Sequence, residues 1–576
     1  MSTDMDNIKT VAVLGGSYGG CRAAQVLAAG LPSGWRVVLV DRNSHFNHVY
    51  NLPRYAVLPG HEHKAFIPYD NIFSNPSVSS SSLHPHKRIH GTITSLHPHR
   101  ITYIPRTPYT GQEKEREQTL HFNYAIYALG SHLPSPINLW GPRDATLKSY
   151  SFVLDSAYLN CGGGHDEENQ GNSQADGDVQ FLISRPIECA TNCEARKQQL
   201  SRPYAGTKSE GVSWLQSRQR IVEEARNVVV IGGGALGIQF ASDIAGIYPH
   251  KCVTLLHSRT RLLPRFDEAL GDEVLQGLQE LGVRVILGER LDMSSLKNGG
   301  SGRVNAETKL IKTMKGRELE VDLLLLCTGQ TPNTSLLHSM DPGTIDPDNG
   351  MIRVTRSMQV LAFAENHEDG GPEAETYSSP TLSTPRTLCG TLPPSPVGTV
   401  VERDLLFPAI PSFESSRKPA FVVESKIETY RAPQLCIYPH LFAIGDAADA
   451  FGAIKAGHTA YYQGEVAARN VVRLVKRDEA AVTITEEFSR ELMAGGGMEV
   501  REVGGKPLKE EAEEGLELEE YTPGPPMIKV SIGLTKSAYE VSGVVGTKDD
   551  GTEDLGAATT WGTYGYRDVD EEGMWR

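Results

Sequence analysis

Two glycine clusters stand where a chain can hold phosphate: Gly15-Gly16-Ser17-Tyr18-Gly19-Gly20 and Gly232-Gly233-Gly234-Ala235-Leu236-Gly237. Glycine lets the backbone approach a pyrophosphate closely, and a helix starting behind the turn aims its free N–H groups and positive end at the phosphate charge. Ser17 takes the place that Gly234 has in the second cluster; it is small, and its hydroxyl can itself bond a phosphate oxygen. After the first cluster comes Asp41, whose carboxylate is placed to accept hydrogen bonds from an adenosine ribose, with Arg42 beside it. The equivalent place in the second cluster reads Leu256-His257-Ser258-Arg259 and has no acid. A carboxylate there would repel a 2′-phosphate, whereas Ser258 and Arg259 can bind one, so the second site is expected to accept NADPH as well as NADH.

These residues need strands and helices to hold them. The apolar stretch Thr10–Leu14 runs into the first cluster, followed by a helix-like Cys21–Ala29 and the strand Val37–Val40. Val228–Ile231 runs into the second, followed by Ile238–Gly246 and Val253–Leu256. Each reads as a βαβ unit with a glycine turn. One such turn is a weak sign; two in the same context predict two dinucleotide folds. The 576-residue chain has room for three or four domains at about 150 residues each. With 39% hydrophobic and 22% charged residues it is an ordinary globular composition, and a net charge of −15 speaks against nucleic acid as a ligand.

Three segments read as insertions or linkers that bury too little apolar surface to order themselves: 160–208, the Pro-, Ser-, Thr- and Glu-rich 362–418, and the glycine-rich, then acidic 494–526. A strand pattern resumes at Ile528–Gly533 and Val541–Val545, which suggests a small C-terminal domain. The acidic start Met1–Asp6 has no leader pattern, and no apolar run approaches a membrane span. The expected location is the cytosol, with peripheral membrane contact left open. Cys189 and Cys193 lie four apart with no second pair, and His84, His86, His90, His97 and His99 lack a completing carboxylate or thiol set, so no metal site is expected. Near the first cluster stands an isolated Cys21, which disfavours a dithiol reductase with a flavin-proximal disulfide.

Taken with Tyr124–Ser131, Cys327–Asn333 and Leu441–Ala448, these motifs resemble the apoptosis-inducing-factor-like (ferroptosis-suppressor-protein-like) flavoproteins, relatives of type II NADH dehydrogenases. The resemblance implies an α/β chain in which a Rossmann-like FAD domain is interrupted by a Rossmann-like NAD(P)H domain, with a small α+β C-terminal domain. The expected division is 8–155 and 341–480 for FAD, 209–340 for NADH or NADPH, 156–208 as insertion, and 481–576 as acidic linker and C-terminal interface domain. It implies that Gly130, Gly329 and Gly445 line the cofactors and that Asp446 binds the ribityl chain of FAD. Arg54 is expected beside FAD. A helix over Ala453–Leu474 is expected to point its N-terminus at the flavin, with Lys455 there to stabilise reduced flavin or protonate an acceptor. Gln239 replaces a family Glu near the nicotinamide; an amide hydrogen-bonds but cannot act as a base. Trp561, Tyr564 and Tyr566 are candidate pocket aromatics or core residues. The implied activity is NAD(P)H oxidation through FAD, with a small-molecule acceptor, a quinone by resemblance, in a monomer or homodimer. A flavin monooxygenase and a slow-turnover signalling protein are the alternatives.

Overall fold

The computed structural model describes residues 8–73, 86–106, 116–140, 205–297, 309–363, 435–493 and 517–576. Cys189, Cys193, His84, most of the three insertions and the acidic start lie outside the described residues.

The chain opens with β1 (Lys9–Leu14), α1 (Tyr18–Gly30) and β2 (Trp35–Asp41). A one-turn helix α2 (Leu52–Tyr55) follows, then β3 (Lys87–His97), β4 (Arg100–Pro105), β5 (Gln118–His121), β6 (Tyr124–Tyr127) and the short β7 (Ser131–His132). The next elements are α3 (Lys208–Glu224), β8 (Asn227–Ile231), α4 (Ala235–Ile247), β9 (Cys252–His257), α5 (Glu268–Glu280), β10 (Arg284–Leu287), β11 (Leu323–Leu326) and β12 (Thr331–Pro332). After these come β13 (Gln359–Phe363), β14 (Leu435–Ala443) and the long helix α6 (Gly457–Met493). The chain closes with β15 (Ile528–Ile532), β16 (Lys536–Val541), β17 (Val544–Asp549) and α7 (Ala557–Thr563).

Two sheets organise this order. The larger runs β13-β14-β6-β1-β2-β3-β4-β5, and the second runs β10-β9-β8-β11. In both, the strand before the glycine turn is flanked by parallel neighbours: β1 by β2 and β6, β8 by β9 and β11. Strands covered on both faces must be apolar throughout, and Val11–Leu14 and Val228–Val230 are almost wholly buried. The chain leaves the first sheet after β6, builds the second, and returns with β14 beside β6, Leu441 opposite Ala125.

Helix α1 meets α6 backbone to backbone. A Cβ on Gly19 would lie 2.6 Å from the Ala460 carbonyl oxygen, and one on Gly464 2.5 Å from that of Gly19. Helix α6 begins at Gly457 rather than at Ala453, and the turn ahead of it holds Phe451 and Gly452 in left-handed conformations with φ of 58° and 78°. It also runs past Leu474, and Val466, Ala467 and Val471 on it are buried. The expected strand Val541–Val545 is instead a hairpin turn, in which Ser542 and Gly543 have φ of 51° and 77° between β16 and β17.

The C-terminal segment divides between two cores. Val530, Ile532 and Ala538 join the second sheet's core, whereas Trp561 and Met574 join the first. Trp561 is fully buried and donates from Nε1 to the Lys64 carbonyl at 2.9 Å, so it is a core residue. Trp575 stacks on His63 at 4.0 Å, and Lys208 donates to the Met574 and Arg576 carbonyls. Among the described residues no helix is long and apolar enough to cross a membrane.

Burial holds the His45, His48, His63 and His440 rings down to about 4. In the unfolded chain these rings take up protons near pH 6.5, so between about 6.5 and 4 the unfolded state binds more protons and stability falls as pH falls. The thermal unfolding midpoint should therefore drop as pH is lowered through that window. A midpoint that stays level from pH 6.5 to 4.5 would contradict the buried neutral histidines.

Candidate functional site: two nucleotide seats

The two glycine turns are superposable in their constraints. Gly15 has φ of 105° and Gly232 φ of 120°, conformations that a side chain opposes. A Cβ on Gly20 would stand 1.8 Å from the Gly15 carbonyl oxygen, and one on Gly237 1.9 Å from that of Gly232. The first glycine of each turn also lies against the end of the neighbouring strand, where a Cβ would meet the Ala128 or the Cys327 carbonyl oxygen. No other residue type passes these points without moving the backbone.

The helices behind the turns are left uncapped. Ser17 and Gly234 are the N-cap residues of α1 and α4, neither makes a side-chain cap, and neither helix has an acid in its first turn. Two other long helices of the described chain have N-termini satisfied internally. Thr207 and Glu210 form a reciprocal capping box on α3, and the Asp267 carboxylate accepts from Ala269 N on α5. Ser17 is exposed with its hydroxyl not spent on the helix, and nothing lies within 4 Å of where a Gly234 Cβ would be. Bare N–H groups, a positive helix end and space over the turn are what a pyrophosphate needs.

Asp41 and His257 do the same backbone work in the two seats. Asp41 Oδ2 accepts from Gly16 N, and its Oδ1 accepts from Asn43 N at 2.6 Å. Burial pushes its carboxyl up, and these hydrogen bonds oppose the shift. His257 Nδ1 accepts from Gly233 N at 3.1 Å, and burial together with Arg259 lowers its pKa, so the ring is neutral. The second seat thus keeps the acceptor that orders the turn but carries no negative charge. Ser258 and Arg259 follow it and are exposed. Arg42 lies over the Trp140 ring at 3.9 Å. Tyr69, which no local pattern picks out, donates to the Gly16 carbonyl at 2.7 Å.

A second set of residues gathers where the two modules exchange strands. Gly130 and Gly329, with φ of 61° and 70°, turn the chain into β7 and β12, which pair antiparallel through Thr331 and His132. Ser131 donates to Asp446 Oδ2 at 3.0 Å, and Gly445 N donates to Gln463 Oε1 at 2.7 Å. Asp446 is half-buried; burial raises its pKa against the pull of Ser131 and Lys455. Lys455 is exposed and stands in the loop just before α6, not on the helix. The first amide of α6, Gly457 N, donates to the Tyr50 hydroxyl. Tyr50 lies 5.3 Å from Tyr18, whose hydroxyl is 2.9 Å from His48 Nδ1. Tyr564 packs on Phe46 at 4.2 Å and Tyr566 on Trp561 at 5.4 Å.

Arg54 is elsewhere than the resemblance implies. Its side chain is fully buried and pairs with Asp243 of α4 at 2.8 Å, and it also donates to the Gly533, Leu534 and Glu553 carbonyls. Four of its five N–H donors are used in this way, which leaves no fork for a phosphate or a flavin. Gln239 is half-buried one turn before Asp243; burial pushes that carboxyl up to about 6, against the opposing pull of Arg54 and Gln239.

The chain is similar to several known proteins. The profile of the pyridine nucleotide-disulphide oxidoreductases matches residues 190–363. Fe-regulated protein 8 of Mycosarcoma maydis is 33% identical over 565 residues, 97% of this chain and 96% of that protein. Apoptosis-inducing factor homolog B of Dictyostelium discoideum is 23% identical over 62% of this chain and 72% of that protein. The chain belongs to the apoptosis-inducing-factor-like FAD/NAD oxidoreductases. Its cofactors are FAD and NAD(P)H. Among solved structures, an NAD-dependent persulfide reductase from A. fulgidus aligns with a TM-score of 0.45 and 13% identity, over 92% of this chain and 63% of that one. In this family member the uncapped helices and the crowded glycines fit an adenine dinucleotide at each turn.

The two glycines of the second seat separate folding from binding. Gly237→Ala should lower the unfolding midpoint, because its Cβ meets backbone at 1.9 Å. Gly234→Ala should change stability by no more than about 1 kcal/mol while weakening NAD(P)H binding measured by titration. Equal stability loss in both variants would contradict an open seat over Gly234.

Proposed function

We propose that this chain is an NAD(P)H:quinone oxidoreductase that works through bound FAD. The observation that carries the reading is the pair of uncapped helices behind crowded glycine turns, one in each sheet, in a chain of an FAD/NAD oxidoreductase family. When bound, FAD accepts a hydride from NAD(P)H and returns the electrons to the acceptor. Gly15, Gly16, Ser17, Gly19 and Gly20 seat its pyrophosphate, Asp41 its ribose, and Asp446 its ribityl chain, with Ser131 holding the carboxyl in place. Gly232, Gly234 and Gly237 seat the coenzyme. Ser258 and Arg259 supply a hydroxyl and a charge for a 2′-phosphate, and the neutral His257 offers nothing to repel it.

The chain's own contribution to the redox step is electrostatic. Lys455 sits beside Asp446 at the entrance to α6, where a cation and a helix N-terminus together stabilise negative charge on a reduced ring system. It is also exposed, so it can exchange a proton with water and pass it to a quinone oxygen. The quinone is the acceptor that the resemblance favours.

The purified protein should be yellow and should reduce a short-chain ubiquinone analogue faster than cytochrome c or ferredoxin. Oxygen incorporation into an added metabolite instead of quinone turnover would replace this reading with a monooxygenase. Lys455→Met should retain FAD and lose quinone turnover by about a hundredfold; full turnover in that variant would remove the role of Lys455. Arg259→Ala should raise the KM for NADPH roughly tenfold and leave that for NADH unchanged. An unaltered preference ratio would reject the phosphate contact.

A further inference from the structure

Among the described residues, Arg54 and Asp243 form the ion pair in which both side chains are fully buried. The partners are 189 residues apart: Arg54 lies on α2, in the stretch of chain between β2 and β3 of the larger sheet, and Asp243 on α4, and Leu52 and Tyr55 of α2 pack in the same core as α4. The same guanidinium reaches the Gly533 carbonyl at 2.6 Å and the Leu534 and Glu553 carbonyls at 3.1 Å. Gly533 has φ of 75°, a turn conformation that suits glycine and presents its carbonyl to the fork. Beside this knot, Ser242 donates to the Ser531 carbonyl at 3.1 Å. One side chain therefore joins the segment that leaves β2 of the larger sheet, the coenzyme helix of the second sheet, and the chain on both sides of the β16–β17 hairpin.

Cohesion alone does not account for such a pair. Removing two charges from water is costly, and well-packed apolar residues of similar volume often stabilise a fold as much or more. Asp243 Oδ1 is moreover buried without a hydrogen-bond partner, so the carboxylate is not ideally satisfied. What a bidentate-capable, directional group supplies and a leucine does not is register: the fork accepts one arrangement of its partners. The helix it grips is the one whose first turn opens the coenzyme seat at Gly234, about 14 Å from Asp243 along the axis. Gln239, the residue that the resemblance places near the nicotinamide, lies between them on the same helix.

We infer that Arg54 and Asp243 are positioning residues that set the coenzyme helix in register with the flavin module, and so set the approach of the nicotinamide to the flavin. This rests on the reading that the two modules hold FAD and NAD(P)H. A displacement of about 1 Å at the reacting centre can slow a reaction roughly a hundredfold, so register rather than affinity is the quantity the pair controls.

The test is the double variant Arg54→Met with Asp243→Leu, which removes both charges together and leaves neither one buried alone; Arg54→Lys, which keeps the charge and loses the fork, accompanies it. Both should stay folded, with a midpoint lowered by the carbonyls left without a donor, retain FAD, and bind NADPH with unchanged Kd. Reduction of bound flavin by NADPH in stopped flow should slow by roughly ten- to a hundredfold, and the long-wavelength charge-transfer absorbance of the complex should weaken. In coenzyme-free protein, hydrogen exchange along α4 should quicken while that of β8 stays unchanged. Wild-type reduction rate and absorbance in the double variant would overturn the inference, as would unchanged exchange along α4. Failure of the wild-type flavin to accept hydride would instead overturn the coenzyme reading, and the exchange measurement would still decide the role of the pair.

Discussion

Everything in both seats depends on one close approach. The carbonyl of the first glycine in each turn passes through the space where the last glycine's Cβ would be, at 1.8 Å in one module and 1.9 Å in the other. That contact lets the helix start directly above the end of the strand. Its first amides are then left pointing at open space instead of at a side-chain cap. A capped helix such as α3 is self-sufficient, whereas α1 and α4 are unsatisfied until an anion arrives. The binding function is thus an incompleteness that the fold preserves twice.

The second theme is how two similar modules are held to different tasks. Their turns are braced alike, by an acceptor at the end of the second strand, yet one brace is a carboxylate and the other a neutral imidazole. The geometry is common and the charge is not, which is the difference needed to seat unlike nucleotides. The modules are tied by the short β7–β12 ladder, by the Arg54 knot, and by a C-terminal segment whose strands enter one core and whose tryptophan enters the other. A chain that must bring two bound rings together gains more from such directional ties than from added apolar area, because apolar contact does not discriminate between nearby alignments.

Much of this was legible in the chain. The glycine spacing, the buried Val-rich strands and Asp41 are local features, and each seat is built within one βαβ unit. The limits of α6 were not legible: the helix starts at Gly457, where its first amide meets the Tyr50 hydroxyl from 407 positions away, and it runs past Leu474. Arg54 was misread for a related reason. The resemblance put it beside FAD, but its partners Asp243 and Gly533 lie 189 and 479 positions away, and burial at that meeting point uses up its fork. Tyr69 reaches Gly16 from 53 positions away, and the role of Ser131 rests on Asp446, 315 positions away.

The sequence by itself determined the two seats, since a turn without side chains, a strand apolar on both faces and a helix begun without a cap are all properties of adjacent residues. Only the tertiary structure decided what each polar group is free to do. Whether an arginine meets a phosphate or a buried aspartate, or a histidine stands in for a carboxylate, depends on which remote atoms share its space. Hydrogen-bond donors are finite, and packing determines where they are used.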